Sequence, residues 1–323
     1  MQPLEPIPLA EIEAARERLA GTAVRTPLIR LDVDAAADIY LKLENLQPIG
    51  SFKIRGAGNV MLKTPQERLA NGVYTASAGN MAQGVAWCAR KMGIPCHVVV
   101  PDSAPSNKLD AIERLGAEII KVSFDDWWRV IVTHRYPDLD GMFVHPVSNP
   151  DVIAGNGTIG LEILEDLPEV DTVLVPFGGG GLSCGIASGL RVLAPKTEVY
   201  ACEVETAAPF AASLELGKPA ETEHTPTFID GIGGKSVLEE MWPMARALLA
   251  GSLVSTLEEV AAAIKLLAER AHIVAEGAGA TPVAAALSGD GEREGEGGNV
   301  VCVVSGGNID VTKLQTILRG NIP

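Results

Sequence analysis

Lys53 stands between a Gly-Ser-Phe turn and an Arg-Gly-Ala segment, in the run Lys42-Leu-Glu-Asn-Leu-Gln-Pro-Ile-Gly-Ser-Phe-Lys-Ile-Arg-Gly-Ala57. Its neighbours Phe52 and Ile54 are apolar, and Gly50 and Gly56 allow close backbone approach. A lysine drawn out of water has a lowered pKa, because burial disfavours the ammonium. The resulting neutral amine is a nucleophile that can form a Schiff base with an aldehyde. Taken alone, the same lysine also suits a side chain snorkelling at a helix start.

Three further loops carry residues suited to chemistry. Pro176-Phe-Gly-Gly-Gly-Gly-Leu-Ser183 follows a β-type run and opens a helix of small residues. Four consecutive glycines, Gly178, Gly179, Gly180 and Gly181, leave N–H groups unshielded at a helix N-terminus, which suits a phosphate. No lysine follows them, so a nucleotide P-loop is disfavoured. A flexible turn is the plainer alternative. Thr75-Ala-Ser-Ala-Gly-Asn-Met-Ala-Gln-Gly84 again runs from strand through a small polar loop into a helix. Ser77, Asn80 and Gln83 supply a hydroxyl and amides at a helix start, and the backbone N–H groups there suit a carboxylate, or the set is simply an N-cap cluster. Ser305-Gly-Gly-Asn308 follows the most apolar strand, at the sheet edge where open α/β folds bind ligands. In isolation an ordinary β-to-α turn is the plainer reading of it. Together the loops offer an amine for an aldehyde, a cradle for a phosphate, an anion loop for a carboxylate and a neutral hydroxyl. That set fits pyridoxal phosphate (PLP) handling an amino acid.

The elements that must position these loops follow from periodicity. Strands are predicted at 39–43, 73–76, 96–100, 118–122, 142–144, 172–176, 199–203 and 299–304, with helices between them, the pattern of α/β folds with parallel sheets. Helices are predicted at 82–92, 107–115 and 183–190, and the longest at 257–270; Gly93 and Gly116 act as C-terminal stops. The segment 73–144 reads as a compact βαβαβ unit. This gives a large PLP-binding domain of residues 1–71 and 148–323 and a small inserted domain of residues 72–147, consistent with about two domains for 323 residues. The glycine-rich polar run 291–298 is expected to be a solvated loop.

Composition excludes other classes. The hydrophobic fraction of 47% with only 4% aromatics calls for a core of Ala, Val, Ile and Leu, as in parallel sheets covered by helices. A net charge of −15 argues against nucleic acid or an anionic membrane as partner. Cys88, Cys96, Cys184, Cys202 and Cys302 are scattered singly, as expected of reduced core thiols in a cytoplasmic protein. Residues 1–20 lack the apolar core of a signal peptide, and no apolar run is long enough to span a membrane. The five histidines show no metal-ligand spacing.

On these motifs the sequence resembles the serine/threonine dehydratase and serine racemase family of fold-type II PLP enzymes. The resemblance covers nearly the whole chain and implies two open, twisted, mostly parallel sheets flanked by helices, in a homodimer. It implies that Lys53 bears the cofactor, that Phe52 lies beside the ring, and that Gly178 to Gly181 bind the phosphate. Asn80 would contact the ring hydroxyl, Ser305 would face the pyridine nitrogen, and Glu276 would lie near the cofactor. Ser77, Ala78, Gly79, Asn80, Met81 and Gly231 would form the substrate site. The activity implied is removal of water and then ammonia from L-threonine and L-serine, giving a 2-oxo acid by α,β-elimination. A dehydratase of 3-hydroxyaspartate or phenylserine, or an amino-acid racemase, are the alternatives on this scaffold.

Departures from the family pattern refine this. Met81 stands where many relatives have histidine, and cannot donate a hydrogen bond. Racemases carry a serine where this chain has Ala78, so racemisation is expected to be weak. Relatives with a divalent cation use acids after the strand that ends near Glu203; the later acid is missing, so no metal is expected. No regulatory domain follows Asn308, so feedback control by isoleucine is not expected. Trp127-Trp128 is expected either to pack or to wall the pocket mouth.

Overall fold

The computed structural model describes residues 2–104, 106–223, 225–288 and 298–323. Of the expected loop at 291–298, residues 291–297 lie outside the described residues. Among the described residues ten strands are present: β1 Leu28–Arg30, β2 Asp38–Lys42, β3 Val73–Ala76, β4 Cys96–Pro101, β5 Glu118–Val122, β6 Met142–Phe143, β7 Thr172–Pro176, β8 Glu198–Val204, β9 Gly251–Ser255 and β10 Asn299–Val303. They form a six-stranded sheet, β1-β2-β10-β7-β8-β9, and a four-stranded sheet, β5-β4-β3-β6. Among the strand pairs of the described residues, only β1–β2 is antiparallel. The four-stranded sheet is drawn wholly from the stretch between Val73 and Phe143.

The centre of the large sheet explains where the loops converge. β10 lies between β2 and β7, with Cys302 between Leu41 and Leu174. Val301, Cys302 and Val303 have no exposure, as a continuous apolar run covered on both faces requires. All of these strands are parallel, so the segments after β2, β7 and β10 leave the sheet at one edge. That edge is where open α/β sheets bind ligands.

The strands expected from sequence are all present, with ends shifted by a residue at most. β1 and β9 were not expected. β1 has three residues, and β9 opens on Gly-Ser, so neither shows a β-type run. The expected helix 257–270 is α-helical over Leu257–Leu266 and continues as a π turn over Leu267–Ala271. Among the described residues the longest helix is Pro150–Asp166, with 17 residues. Its glycines weaken the helix signal, yet they are its packing surface. A Cβ on Gly155 would stand 2.4 Å from the Arg55 carbonyl oxygen, and one on Gly157 would stand 2.8 Å from that of Gly185. This helix can therefore lie backbone to backbone against helix Lys53–Lys63 and helix Gly181–Leu193, the two that carry the lysine and the tetraglycine. Gly155→Ala is expected to destabilise the fold by about 1–3 kcal/mol, because the clash is with backbone that cannot rotate away. Alanine's better helix propensity offsets about 1 kcal/mol of it. A drop in the urea midpoint at unchanged slope would show this.

Trp127 and Trp128 lie on helix Phe124–Thr133. Trp127 packs against the cluster of Tyr74, Ala76 and Val99. Val73, Val98 and Val100 face the other way, toward helix Asn80–Met92. The tryptophan helix therefore covers the face of the small sheet opposite to that helix, which makes packing the role of Trp127. All five cysteines are buried. Among the described residues, no helix is long and apolar enough to cross a membrane.

Candidate active site

Lys53 is the first residue of helix Lys53–Lys63 and is half-buried. Its Nζ donates to the carbonyl oxygen of Pro146 at 3.1 Å and lies 5.0 Å from the centre of the Phe52 ring. Burial pulls its pKa down from 10.5 to about 8, against the Glu276 carboxylate, which favours the ammonium. About a tenth of the amine is therefore neutral at pH 7, and the fraction grows as pH rises through 8.

The lysine helix is anchored from below by buried charges. Arg55 forks to both oxygens of Glu44, at 2.8 Å each, and reaches both oxygens of Glu162 at 2.7 and 2.9 Å. Lys42, fully buried, meets Glu162 at 2.7 Å and donates to the Thr26 carbonyl at 2.6 Å. Burial alone would disfavour the guanidinium, but the two glutamates outweigh it and hold its pKa above the ordinary value. Two cations face two anions, so no buried charge is left uncompensated.

The loops meet around Lys53. The Phe52 N–H donates to the Ser305 carbonyl at 2.9 Å, and the Gly307 N–H to that of Gly50 at 2.9 Å, tying the turn before the lysine to the loop after β10. Ser305 is buried. A Cβ on Gly84 would stand 3.2 Å from the Lys53 carbonyl, so helix Asn80–Met92 lies against the lysine backbone. Val147, next to Pro146, fills the space beneath the tetraglycine: a Cβ on Gly179 would meet its Cγ1 at 2.6 Å, and one on Gly181 its carbonyl oxygen at 2.8 Å. Gly180 has φ +90°, a conformation that glycine adopts readily. Gly181 opens the helix, so its first-turn N–H groups have no helical partners and face outward. Gly178 neighbours Gly231, and Gly231 neighbours Glu276.

Glu276 closes the ring of contacts. Asn80 Nδ2 donates to its Oε1 at 2.7 Å, and the Glu276 N–H donates to the Gly306 carbonyl at 3.0 Å. Burial pushes its pKa up to about 7, helped by the Asp230 carboxylate and opposed by the Asn80 bond. Asn308 Nδ2 donates to Asn80 Oδ1 at 2.8 Å and to the Ile49 carbonyl at 2.9 Å. Glu276→Gln keeps an acceptor for Asn80 but removes the charge that favours the Lys53 ammonium. The Lys53 pKa is therefore expected to fall below its present value, readable as a downward move in the pH midpoint of the apo-protein's reaction with PLP.

The structure thus brings together Phe52, Lys53, Asn80, Gly178 to Gly181, Gly231, Glu276 and Ser305. Ser77 and Gly79 shape the neighbouring loop, where the Gly79 N–H donates to Ser77 Oγ at 3.2 Å. Ala78 packs against the core beneath the loop. Met81 does not present its side chain to the loop: it is buried in the core with Val85 and Ala86. Only its backbone, in the first helical turn, remains to meet a ligand. Pro146, Val147 and Asn308 belong to this site although sequence assigned them no role. Asn308 was visible within its motif, whereas Pro146 and Val147 carry no signal of composition or spacing.

Glu203 has its own occupation. Its carboxylate accepts from the Phe210 and Ala211 N–H groups at 2.9 and 2.8 Å and from Ser252 Oγ at 2.6 Å, capping helix Pro209–Leu216. Among the described residues no cluster of three His, Cys, Asp or Glu could hold a metal ion.

The donor set fits PLP. A desolvated amine suits the aldehyde, outward N–H groups at a glycine-lined helix start suit the phosphate, and a buried neutral serine suits an unprotonated ring nitrogen. Ser51 Oγ, fully buried beside this turn, is without a hydrogen-bond partner among the described residues.

Comparison with known proteins bears on this directly. Residues 19–306 match the family model described as pyridoxal-phosphate dependent enzyme. An L-threonine ammonia-lyase of Geobacter sulfurreducens is 42% identical over 97% of this chain and 78% of its own length. The structure of maize serine racemase is similar with a TM-score of 0.90 and 31% identity, covering 98% of each chain. The processed form of threonine deaminase isoform 2 from Solanum lycopersicum gives a TM-score of 0.88 and 29% identity, covering 98% of this chain and 96% of its own. The converging loops, the two sheets and these matches lead to one conclusion: the chain belongs to the pyridoxal-phosphate dependent enzymes, with the fold-type II architecture.

Proposed function

We propose that the protein is an L-threonine ammonia-lyase that also accepts L-serine, removing water and then ammonia to leave a 2-oxo acid. The observation that carries this reading is the place of the Lys53 amine, held on the Pro146 carbonyl at the point where the four loops meet, with burial pulling its pKa down to about 8. The threonine-specific name of the 42% identical relative supports the choice of substrate.

Lys53 would bear PLP and then, freed by the incoming amino acid, hold the α-proton at Nζ. Gly178 to Gly181 would hold the phosphate through backbone N–H groups. Asn80 and Ser305 would contact the ring, with Phe52 beside it and Glu276 orienting Asn80. The Ser77–Met81 loop and Gly231 would receive the substrate carboxylate. When bound, the cofactor supplies the electron sink that makes the α-proton acidic. Ser305, which bears no charge, leaves that sink weaker than a carboxylate would, and so favours loss of the β-substituent. The lobes 1–71 with 148–323 and 72–147 would enclose the substrate between the two sheets. The protein would act as a cytoplasmic homodimer, without nucleic acid or membrane partners.

The racemase reading draws on the similarity to maize serine racemase. Racemisation needs a second proton donor on the opposite face of the substrate, and Ala78 offers none. Release of 2-oxobutanoate from L-threonine by the holoenzyme, without accumulation of the D-amino acid, is the outcome that fits ammonia-lyase. Turnover confined to 3-hydroxyaspartate or phenylserine would move the specificity and leave the chemistry. Production of D-serine in place of a 2-oxo acid would overturn the proposal.

A further inference from the structure

His145 is buried between β6 and helix Pro150–Asp166, and both of its ring nitrogens are engaged. Nδ1 accepts from the Val147 N–H at 3.1 Å and the Ser148 N–H at 2.8 Å, with Ser148 Oγ also at 3.1 Å. Backbone N–H groups only donate, so Nδ1 carries no proton. The proton sits on Nε2, which faces the Ile131 carbonyl oxygen at 3.2 Å. The ring is packed on its sides by His134, 4.1 Å between centroids, and by the edge of Phe143. Burial and the neighbouring His134 hold its pKa down to about 3, so it stays neutral.

The two residues enclosed by this acceptor are the ones that touch the site. Pro146 gives its carbonyl to Lys53 Nζ. Val147 stands beneath Gly179 and Gly181. One imidazole nitrogen therefore fixes the turn that supplies both the lysine's hydrogen-bond acceptor and the floor of the glycine loop.

We infer that His145 is a positioning residue for this site, its Nδ1 setting the Pro146–Val147 turn and through it the place of the Lys53 amine and of the tetraglycine loop. This rests on the ammonia-lyase reading only for its activity readout. A displacement of about 1 Å in a reacting group can lower a rate by roughly 100-fold.

The full-length variants His145→Asn and His145→Gln test it. Asparagine carries Oδ1 where histidine carries Nδ1 and can accept from Val147 and Ser148. Glutamine extends its amide toward Ile131 but leaves no acceptor at the inner position. Both are neutral and polar, and melting curves test whether each variant folds. The rate at which the apo-protein takes up PLP at Lys53 is followed by visible absorption and by borohydride trapping of the lysine. Uptake and kcat for L-threonine are expected to fall by about 100-fold in the glutamine variant, with KM nearly unchanged, and to be restored to within a few-fold of the parent by asparagine. Equal rates in the two variants, or an asparagine variant as slow as the glutamine one, would overturn the inference. Should the glutamine variant not fold, the asparagine variant decides: parent-like uptake supports the acceptor role and a large loss overturns it. If the parent protein turns over no threonine, uptake at Lys53 still decides the role of His145, and only the substrate reading fails.

Discussion

Lys53→Ala should reduce release of 2-oxobutanoate from L-threonine by at least about 10⁴-fold, because it removes both the amine that binds the cofactor covalently and the base that takes the α-proton. Visible absorption of the bound cofactor should be lost with it. The pH dependence has a definite sign. With the Lys53 pKa at about 8, the neutral amine grows as pH rises through 8, and reaction of the apo-protein with PLP should quicken over that interval. The same residue should weaken the apo fold. Its pKa is about 8 when folded and near 10.5 when unfolded, so between these values the unfolded chain binds more protons and stability rises with pH. Below 8 both states are protonated and the full penalty of holding a desolvated ammonium remains, as much as about 3 kcal/mol. Lys53→Met should therefore raise the urea midpoint of the apo-protein at pH 7 while abolishing activity. The gain should shrink as pH is raised toward 10. A methionine variant no more stable than the parent would show that the amine is well solvated, and would remove the main physical reason for assigning it reactivity.

What the sequence revealed, and what it did not, separates by the range of the interaction. The loops after β3, β7 and β10 were visible because strand, small residues and helix follow one another locally, and glycine marks the place where backbone must be bare. Lys53 was visible from its flanks. The Pro146 carbonyl was not, because it lies 93 residues from Lys53 and nothing in a proline's neighbourhood announces which amine it will face. The bounds of helix Pro150–Asp166, expected only as one of the helices between strands, were hidden for a related reason. Gly155, Gly157 and Gly160 lower its helix propensity, and their benefit appears only when Arg55, Gly185 and Ile186 are brought against them. Met81 misled in the opposite direction. Its place in the loop suggested a ligand contact, yet the first turn of helix Asn80–Met92 rotates its side chain into the core. β9 began on Gly-Ser and owes its strand form to pairing with β8.

The tetraglycine should not behave as four equivalent residues, and the differences among its alanine variants are the second large expected effect. A Cβ on Gly178 would meet Ile232 Cα at 3.6 Å and the Gly231 carbonyl at 3.7 Å, ordinary contacts that need no movement. Gly178→Ala should hold PLP within about threefold of the parent affinity. A Cβ on Gly179 would stand 2.6 Å from Val147 Cγ1, on a β-branched side chain with little freedom to turn. One on Gly181 would stand 2.8 Å from the Val147 carbonyl oxygen, which is backbone and cannot rotate away at all. Overpacking of this kind costs about 1–3 kcal/mol, and here it falls on the turn that also supports Lys53. Gly180→Ala meets a different obstacle, since φ +90° strains any side chain whatever the space, at about 1–3 kcal/mol. Affinity for PLP, measured by dialysis and visible absorption, should therefore fall by about 10- to 100-fold for Gly179→Ala, Gly180→Ala and Gly181→Ala. Gly181→Ala should also slow uptake at Lys53, because moving Val147 moves Pro146. Pairing Gly179→Ala with Val147→Ala opens the crowded space and should recover most of the loss. The same pairing cannot help Gly181→Ala, whose clash is with the Val147 main chain. Four variants with equal losses, or no recovery in the pair, would mean that the loop meets the phosphate as a flexible tether and that its shape is not set by the turn beneath it.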